Sequence, residues 1–315
     1  MPQAKKEPVL IAVANQKGGV GKTTIAVQLA YDMTWRLKKR VLFVDMDAQG
    51  NGSTVLRAGE PIHEDTTLAY ELFQNDEELE SPLVLKPQGT PEGIDLIPTT
   101  ANDRLTYSLE ALGESTLKLP EHHLQKVIDN YDVVIFDCPP ALGTKLNASL
   151  AAATHVLCPI RLCGFALEGL SGLLDTIMYI QSTVNTRLNI LGALVNAFDR
   201  SNNHKRELDA LKEQLPNMVL GSILHNRAPF DSANMMSCPV SDVMNGQKAA
   251  QELETCFNEI YRKLGFSIPS AATQAKRREE RIQKRLTALE KARADEASQD
   301  ASESDPEVSE SGSED

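Results

Sequence analysis

Short runs of apolar residues recur along the chain and alternate with segments whose apolar positions have helical spacing. The apolar runs predict strands at Val9–Ala14, Val41–Val44, Ile94–Ile97, Val133–Phe136, His155–Ile160, Asn189–Val195 and Val219–Leu224. The helical segments lie at about 21–37, 122–130, 145–153, 166–184, 203–214 and 246–264. Strands that are apolar on both faces and alternate with helices are typical of a parallel sheet covered by helices. We therefore predict an α/β fold with a mainly parallel, twisted sheet flanked by helices.

The pattern changes after residue 266. Residues 267–295 are rich in charged helix formers, and Ile282, Leu286 and Leu289 form an apolar stripe only one residue wide. Such a stripe predicts a helix that is solvated or pairs weakly with another surface. Residues 296–315 have too few apolar side chains to offset the entropy lost on ordering, so we predict a disordered acidic tail. With residues 1–8 as an N-terminal extension, the globular domain is expected to span 9–266.

The composition is that of a water-soluble globular protein, with 41% hydrophobic and 24% charged residues among 315. No apolar run approaches the roughly 20 residues of a membrane-spanning helix. The first residues, MPQAKKEP, contain no apolar signal-peptide core. The five cysteines have no metal-ligand spacing and are expected to be reduced thiols. These features predict a cytoplasmic protein that is not bound to a membrane.

The net charge of −12 is distributed unevenly. Residues 295–315 carry nine acidic side chains and no basic ones, whereas residues 270–294 carry eight Lys/Arg and three Glu. This leaves −8 on residues 1–269. The tail thus accounts for most of the imbalance, and a basic helix is predicted directly before it.

A glycine-rich segment, KGGVGKTT at residues 17–24, directly follows the first predicted strand and precedes the first helix. Glycines let consecutive backbone N–H groups turn toward phosphates, and the helix N-terminus adds its positive dipole end. In this interpretation Lys22 binds the β- and γ-phosphates and the Thr23 hydroxyl binds Mg²⁺. The alternative is a turn without a ligand, but the spacing and the strand–loop–helix context favour a phosphate-binding loop. The predicted nucleotide contacts in this loop are Lys17, Gly18, Gly19, Val20, Gly21, Lys22, Thr23 and Thr24.

Two predicted strands end in carboxylates. Val133–Phe136 runs into Asp137, as a Walker B strand does, and Asp137 is predicted to hold Mg²⁺ through water. Asp45 and Asp47 follow Val41–Val44, at the strand end where open α/β sheets bind ligands. Taken alone, such aspartates also occur as helix caps and in surface turns. Beside a phosphate-binding loop they predict a nucleotide site.

Four motifs occur in the order KGGVGKTT, VDMDAQGN, DCPPALG and FALEGLSGLL. They resemble the ParA/Soj branch of the deviant Walker A ATPases, in the MinD/ParA superfamily, over about residues 9–265. The resemblance implies a P-loop NTPase fold that binds ATP and Mg²⁺. Lys17 matches the family's second, signature lysine, which reaches across an ATP-sandwich homodimer to the phosphates held by the other subunit. The resemblance thus implies that catalysis depends on Lys17, Lys22 and Asp47.

Further site residues follow from the resemblance. Asp47 matches the water-positioning aspartate and is also assigned to the metal site with Thr23 and Asp137. Pro139, Pro140 and Gly143 match the switch loop, and Pro140 is expected to contact the nucleotide. Asn196, at the end of the sixth predicted strand, matches a position that contacts adenine. The sequence departs from the family pattern in two places: Ala48 replaces the usual proline, and His225-Asn226-Arg227 replaces a basic stretch after the seventh strand.

The function that the resemblance implies is a slow, dimer-dependent ATPase that acts as a switch. The ATP dimer is expected to bind DNA without sequence preference, to associate with the nucleoid, and to drive plasmid or chromosome partition, with hydrolysis stimulated by a ParB-like partner. Clustered basic residues are needed for such binding, although each one taken alone is more typical of a solvated surface charge than of a DNA contact. The candidates are Arg200, Lys205, Arg206, Arg227, Lys248, Arg262 and Lys263, with the cluster at 276–285.

Other functions are compatible with a loop of this kind. A ParA-like ATPase can position a protein cargo instead of DNA. A MinD-like membrane ATPase needs a C-terminal helix with a broad apolar face, which the narrow stripe and acidic tail do not offer. A nitrogenase-reductase-like protein needs a cluster cysteine a few residues beyond Asp137, where Thr144 and Lys145 stand. A small-molecule ligase is the remaining alternative, against which the QGN and ALEGL segments argue.

Overall fold

The computed structural model describes residues 7–75, 79–87, 93–102, 104–164, 166–284 and 287. The chain divides into two compact units, residues 1–268 and 269–315. In the second unit residues 271–284 are helical. The predicted acidic tail, together with Arg285, Leu286 and Leu289, lies outside the described residues.

Within the described residues the first unit contains a sheet of seven strands, all of them parallel. Their bounds are β1 Val9–Val13, β2 Val41–Asp45, β3 Ile94–Ile97, β4 Val133–Asp137, β5 His155–Arg161, β6 Asn189–Phe198 and β7 Val219–His225. The spatial order is β3-β2-β4-β1-β5-β6-β7. The predicted α/β fold with its parallel sheet is therefore confirmed.

Helices connect the strands. Their bounds are α1 Lys22–Leu37, α2 Asn51–Arg57, α3 Arg104–Ser108, α4 Leu119–Gln125, α5 Thr144–Ala152, α6 Ala166–Thr183, α7 Asn202–Gln214, α8 Pro229–Met235 and α9 Gln247–Lys263. Short 3₁₀ helices extend several connections, among them Leu109–Ala111 and Glu114–Thr116 directly after α3. No helix among the described residues is long and apolar enough to cross a membrane.

A hydrophobic core covers each face of the sheet. Successive strand residues point to opposite faces, so in β1 Leu10 and Ala12 join one core, and Ile11 and Val13 join the other. The first core includes α4, α5, α6 and α7, and the second includes α1, α2, α8 and α9. Burial on both faces explains why the strands read as continuous apolar runs.

The helix predictions were partly wrong. A helix predicted at 122–130 lies at Leu119–Gln125, with a 3₁₀ turn at Ile128–Asn130. It starts earlier because Pro120 is accommodated in its first turn, where the proline's missing N–H has no helical partner to lose. The short helices α2, α3 and α8 were not predicted from the sequence.

The strand order places three functional segments side by side. In the sheet Val13, at the end of β1, is paired with Asp137, at the end of β4, and Asp45, at the end of β2, is also paired with Asp137. The carboxyl ends of all three strands therefore meet at one edge of the sheet. The segment 17–24 leaves this edge between β1 and α1.

Candidate nucleotide site

The loop of residues 17–24 is anchored at its base by Asn15, which is buried. The Asn15 side-chain amide donates to the Pro159 carbonyl at 2.7 Å, and its carbonyl accepts from the Lys17 backbone N–H at 2.9 Å. Gly21 has a φ of 91°, and a Cβ at this position would collide with the Asn196 side chain. Only glycine fits there without strain. Asn15 and Gly21 thus fix the backbone conformation of the loop near its start and near its end.

Lys22 opens α1 and is 6% exposed. Its Nζ donates to the Lys17 carbonyl at 3.1 Å, across the loop. Burial lowers the pKa of Lys22, and the nearby carboxylates of Asp137 and Asp47 partly offset that effect. The ammonium is therefore held inside the loop, where a phosphate would take the place of a weaker carbonyl partner.

Asp137 is fully buried, and neither of its carboxylate oxygens accepts a hydrogen bond of normal geometry. Burial and the neighbouring Asp45 raise the pKa of Asp137 well above its usual range, while the nearby Thr23 hydroxyl lowers it. A buried carboxylate without a donor is unusual and calls for a cation or an ordered water. Mg²⁺ fits this position, because it is commonly held by one or two carboxylates, waters and substrate phosphates.

The Asp45 carboxylate forms hydrogen bonds with residues that follow it in the chain. It accepts from the Ser53 backbone N–H and hydroxyl, both at 2.7 Å, and from the Asp47 N–H at 3.2 Å. Burial raises the pKa of Asp45 to about 6. The predicted nucleotide contact of Asp45 stays a prediction; in the structure this residue fixes the turn that carries Asp47 and the start of α2.

Asp47 lies in that turn, half-buried, and its Oδ1 accepts from the Gln49 N–H at 3.1 Å. It is close enough to Lys22 to stabilise the lysine's charge. Among the described residues there is no group of three or more His, Cys, Asp or Glu that could hold a metal ion. A metal at Thr23, Asp47 and Asp137 would therefore depend on the phosphates and waters for its remaining ligands.

Lys17 lies along its own chain in this structure. Its aliphatic stem crosses α6 at Gly169, and its Nζ is 3.8 Å from the Cys163 Sγ. Gly18 and Gly19 are exposed beside it. Lys17, the predicted signature lysine, is therefore less buried than Lys22 and lies against Gly169 and Cys163.

The side chains of Asn196 and Thr24 form hydrogen bonds that hold the phosphate-binding loop and the start of α1 in place. The Asn196 side-chain amide donates to the Val20 carbonyl at 2.8 Å. The Thr24 hydroxyl accepts from the Asn234 side-chain amide at 2.8 Å, which ties α8 to α1. Asn234 was missed from the sequence because α8 has no apolar periodicity or motif to mark it.

The predicted switch loop, residues 138–143, connects β4 to α5. Its first residue, Cys138, donates its N–H to the Val13 carbonyl at 3.2 Å, so the switch loop starts beside the phosphate-binding loop. Pro140 is exposed. The structure thus places the predicted switch-loop residues next to the phosphate-binding loop.

The structure does not bring the predicted DNA-binding residues together. Arg200, Lys205 and Arg206 follow the carboxyl end of β6, whereas Arg262 and Lys263 end α9 near the start of β6, where the Lys263 Nζ donates to the Leu191 carbonyl at 2.6 Å. Two residues at the carboxyl edge also have partners. Arg227 forms two hydrogen bonds with Glu252, at 2.6 and 2.9 Å, and the Arg200 Nε donates to the His225 Nε2 at 2.9 Å.

Lys248, in the first turn of α9, lies one helical turn before Glu252 and so belongs to the carboxyl-edge group. The candidate residues of this unit therefore lie in two groups, one at the carboxyl end of β6 and one near its start, and their binding to DNA stays a prediction. The basic residues of 276–284 belong to the other unit.

A phosphate-binding loop after β1, a buried lysine and carboxylates ending β2 and β4 together define a P-loop ATPase. A family model described as an AAA domain matches residues 9–190. The chain is 33% identical over 235 residues to the sporulation initiation inhibitor protein Soj of Bacillus subtilis, which covers 73% of this chain and 89% of that protein. It is 38% identical over 195 residues to the chromosome-partitioning ATPase Soj of Thermus thermophilus, covering 60% and 69%. The chain belongs to the ParA/Soj family of ATPases.

A solved structure supports the same fold. A McdA variant from Cyanothece in complex with ATP superposes with a TM-score of 0.72 at 22% identity, covering 84% of this chain and 99% of that one. The resemblance predicted from the four motifs is therefore confirmed.

Proposed function

We propose that the protein is an ATP-dependent dimerising switch that drives the partition of plasmid or chromosomal DNA. The observation that carries the proposal is the meeting of Lys17, Lys22, Asp47 and Asp137 at one edge of the sheet. The proposal is supported by the name of the Thermus relative, a chromosome-partitioning ATPase.

In the proposed site the backbone of residues 18–24 cradles the phosphates of ATP, and Lys22 binds the β- and γ-phosphates. Thr23 and Asp137, with Asp47 at the edge, would hold Mg²⁺, which neutralises phosphate charge when bound. The unpaired oxygens of Asp137 and its proximity to Thr23 support this assignment. Asp47 orients the attacking water, since it is the carboxylate of the site that is not fully buried.

Lys17 is proposed to act in the partner subunit's site. It is less buried than Lys22, with a flexible stem and its Nζ beside Cys163. In an ATP-sandwich homodimer it would leave this position and stabilise the negative charge that develops on the γ-phosphate. Hydrolysis would then require dimerisation, which makes ATP turnover a timer for the dimer.

DNA binding by the ATP dimer and stimulation by a ParB-like partner complete the proposal. A homodimer places two copies of the basic edge around Arg200, Lys205 and Arg206 in one assembly, which strengthens binding to a polyanion. This is proposed to hold the protein at the nucleoid of the cytoplasm.

ATP-dependent DNA binding tests the proposal. Non-specific duplex DNA is titrated with the protein alone, with ATP and Mg²⁺, and with ADP. We expect tight binding with ATP only, and prolonged binding for Asp47→Ala, which should retain ATP without hydrolysing it. Asp65→Ala, which changes an exposed carboxylate, is the matched control. Equal binding in all nucleotide states would reject the DNA-partition function and leave an ATPase that positions a protein cargo.

A further inference from the structure

The first turn of α5 contains a buried lysine that the proposed chemistry does not use. The side chain of Lys145 is 4% exposed, and its Nζ lies 3.4 Å from the carboxylate of Glu110. The same Nζ lies 5.7 Å from the centre of the Tyr107 ring, within cation–π distance. Lys145 is thus held by two side chains from the segment 104–112.

Glu110 also contacts the end of the switch loop. A Cβ added to Gly143 would collide with the Glu110 carboxylate, so the Glu110 side chain packs directly against the backbone of Gly143. Next to them the Thr144 hydroxyl donates to the Leu112 carbonyl at 3.0 Å. The last residue of the switch loop and the first two of α5 are therefore all fastened to one segment.

Stability alone does not account for this pair. Only Lys145 is buried, since the Glu110 side chain is 34% exposed, and ion pairs that reach the solvent typically contribute little net stability. A pair that adds little net stability but allows only one arrangement of its two segments has its main effect on geometry. Here the geometry concerned is that of the loop that starts at Asp137 and runs beside the phosphate-binding loop.

We propose that Glu110 and Lys145 are positioning residues that hold the switch loop in place and so set the rate of ATP turnover. The inference rests on the proposed ATPase site and adds to it a role for the segment 104–112. Nucleotide affinity should depend little on the pair, because Lys22 and the backbone of residues 18–24 lie on a different strand–helix connection. The orientation of the switch loop beside the phosphates should depend on it strongly.

The test uses Glu110→Gln, Lys145→Met and the double variant. The matched control is Glu114→Gln, which removes a carboxylate from the same region; Glu114 is exposed and accepts a hydrogen bond from Tyr179 at 2.8 Å. For each protein we would measure hydrogen exchange of residues 138–147, ATP affinity, kcat and the urea midpoint. Exchange reports on the switch loop whether or not the protein hydrolyses ATP.

We expect Glu110→Gln to speed exchange in the switch loop and to lower kcat about tenfold, with ATP affinity changed less than about twofold. The double variant should regain stability, since no unpaired charge stays buried, but its kcat should stay low and its exchange fast. Glu114→Gln should match the wild type.

Two results would overturn the inference. One is unchanged exchange in Glu110→Gln, which decides the matter even if the wild type proves to have no ATPase activity. The other is a double variant in which kcat recovers together with stability, because the pair would then be structural only. Absence of turnover in the wild type would instead count against the proposed function.

Discussion

At the scale of single residues, the main feature of the site is that its charged side chains are buried away from water. Lys22 is buried beside Asp137 and Asp47, and its pKa is lowered by burial in spite of them. Asp137 is buried, and neither of its carboxylate oxygens accepts a hydrogen bond of normal geometry. Both groups have unmet interactions that a nucleotide with a divalent cation would satisfy. A bound nucleotide with its cation should therefore stabilise the buried charges of Lys22 and Asp137 more than the protein's own side chains do.

Lys22→Ala should abolish ATP binding. Truncating one partner of a buried, hydrogen-bonded charge pair costs roughly 2–5 kcal/mol, so we expect affinity to fall by at least about thirtyfold. Calorimetric titration with ATP and Mg²⁺ measures it, with Lys212→Ala, an exposed lysine of α7, as the control. Equal affinity in the two variants would exclude Lys22 from the nucleotide site.

At the scale of elements, the strands were predictable because each is buried on both faces. Every predicted strand is present, with ends that differ by at most three residues. The helices α2, α3 and α8 were missed because each has only five to seven residues, too few to show an apolar period. The site followed the same division. The loop and its aspartates lie in local motifs, whereas Ser53, Glu110 and Asn234 contact segments that are distant in the sequence, at Thr99, Lys145 and Thr24.

The helix that carries Lys22 is held by the last helix of its unit. Arg36 of α1 is largely buried and pairs with Asp32 at 2.8 Å, and it donates to Asn258 of α9 at 2.5 Å. The Tyr261 hydroxyl donates to Asp32 at 2.5 Å, and the guanidinium lies 5.2 Å from the centre of the Tyr261 ring. The cluster joins α1 to α9 through one buried cation.

Arg36→Met should destabilise the fold by about 3 kcal/mol, because it leaves Asp32 without its charge partner. The control is Arg40→Met, since Arg40 is 53% exposed and pairs with Asp132 at 3.5 Å; there we expect a change within about 0.5 kcal/mol. Urea denaturation measures both. Similar losses for the two variants would contradict a stabilising role for the α1–α9 cluster.

At the scale of the whole molecule, the proposed dimer makes each site depend on two chains. Lys17→Ala chains keep Lys22, and Lys22→Ala chains keep Lys17, so neither homodimer has a complete site. A hybrid dimer has one site with both lysines and one with neither. An equal mixture should therefore recover at most about a quarter of wild-type turnover, the value reached if half of all dimers are hybrids with one complete site in two.

Steady-state ATPase assays of each variant alone and of the mixture measure this recovery. The control mixes Lys17→Ala with the double variant Lys17→Ala/Lys22→Ala, which offers no complete site in any pairing. Turnover that does not respond to mixing would show that Lys17 acts within its own chain.

The acidic segment after residue 295 should weaken DNA binding. Its eight acidic side chains follow a basic segment that includes Lys276, Arg277 and Arg281, and they can compete with DNA phosphates over a range of about 8 Å at physiological salt. Deleting residues 296–315 should tighten ATP-dependent binding to non-specific DNA by about tenfold at low salt, and the gain should shrink as salt rises. A full-length variant with these acidic residues replaced by serine separates charge from length. Equal affinity with and without the tail would make it a solvated extension only.

The central position of β1 has a consequence for how the protein is made. β1 leaves the ribosome before both of its neighbours in the sheet, β4 and β5, which end at Asp137 and Arg161. At typical translation rates of roughly 5–20 residues per second, β1 waits on the order of ten seconds for them. Until then its apolar faces and both of its hydrogen-bonding edges are exposed to association with other chains. Nucleotide binding cannot stabilise the nascent chain during this interval, because Asp137, which the proposed nucleotide site requires, is synthesised only with β4.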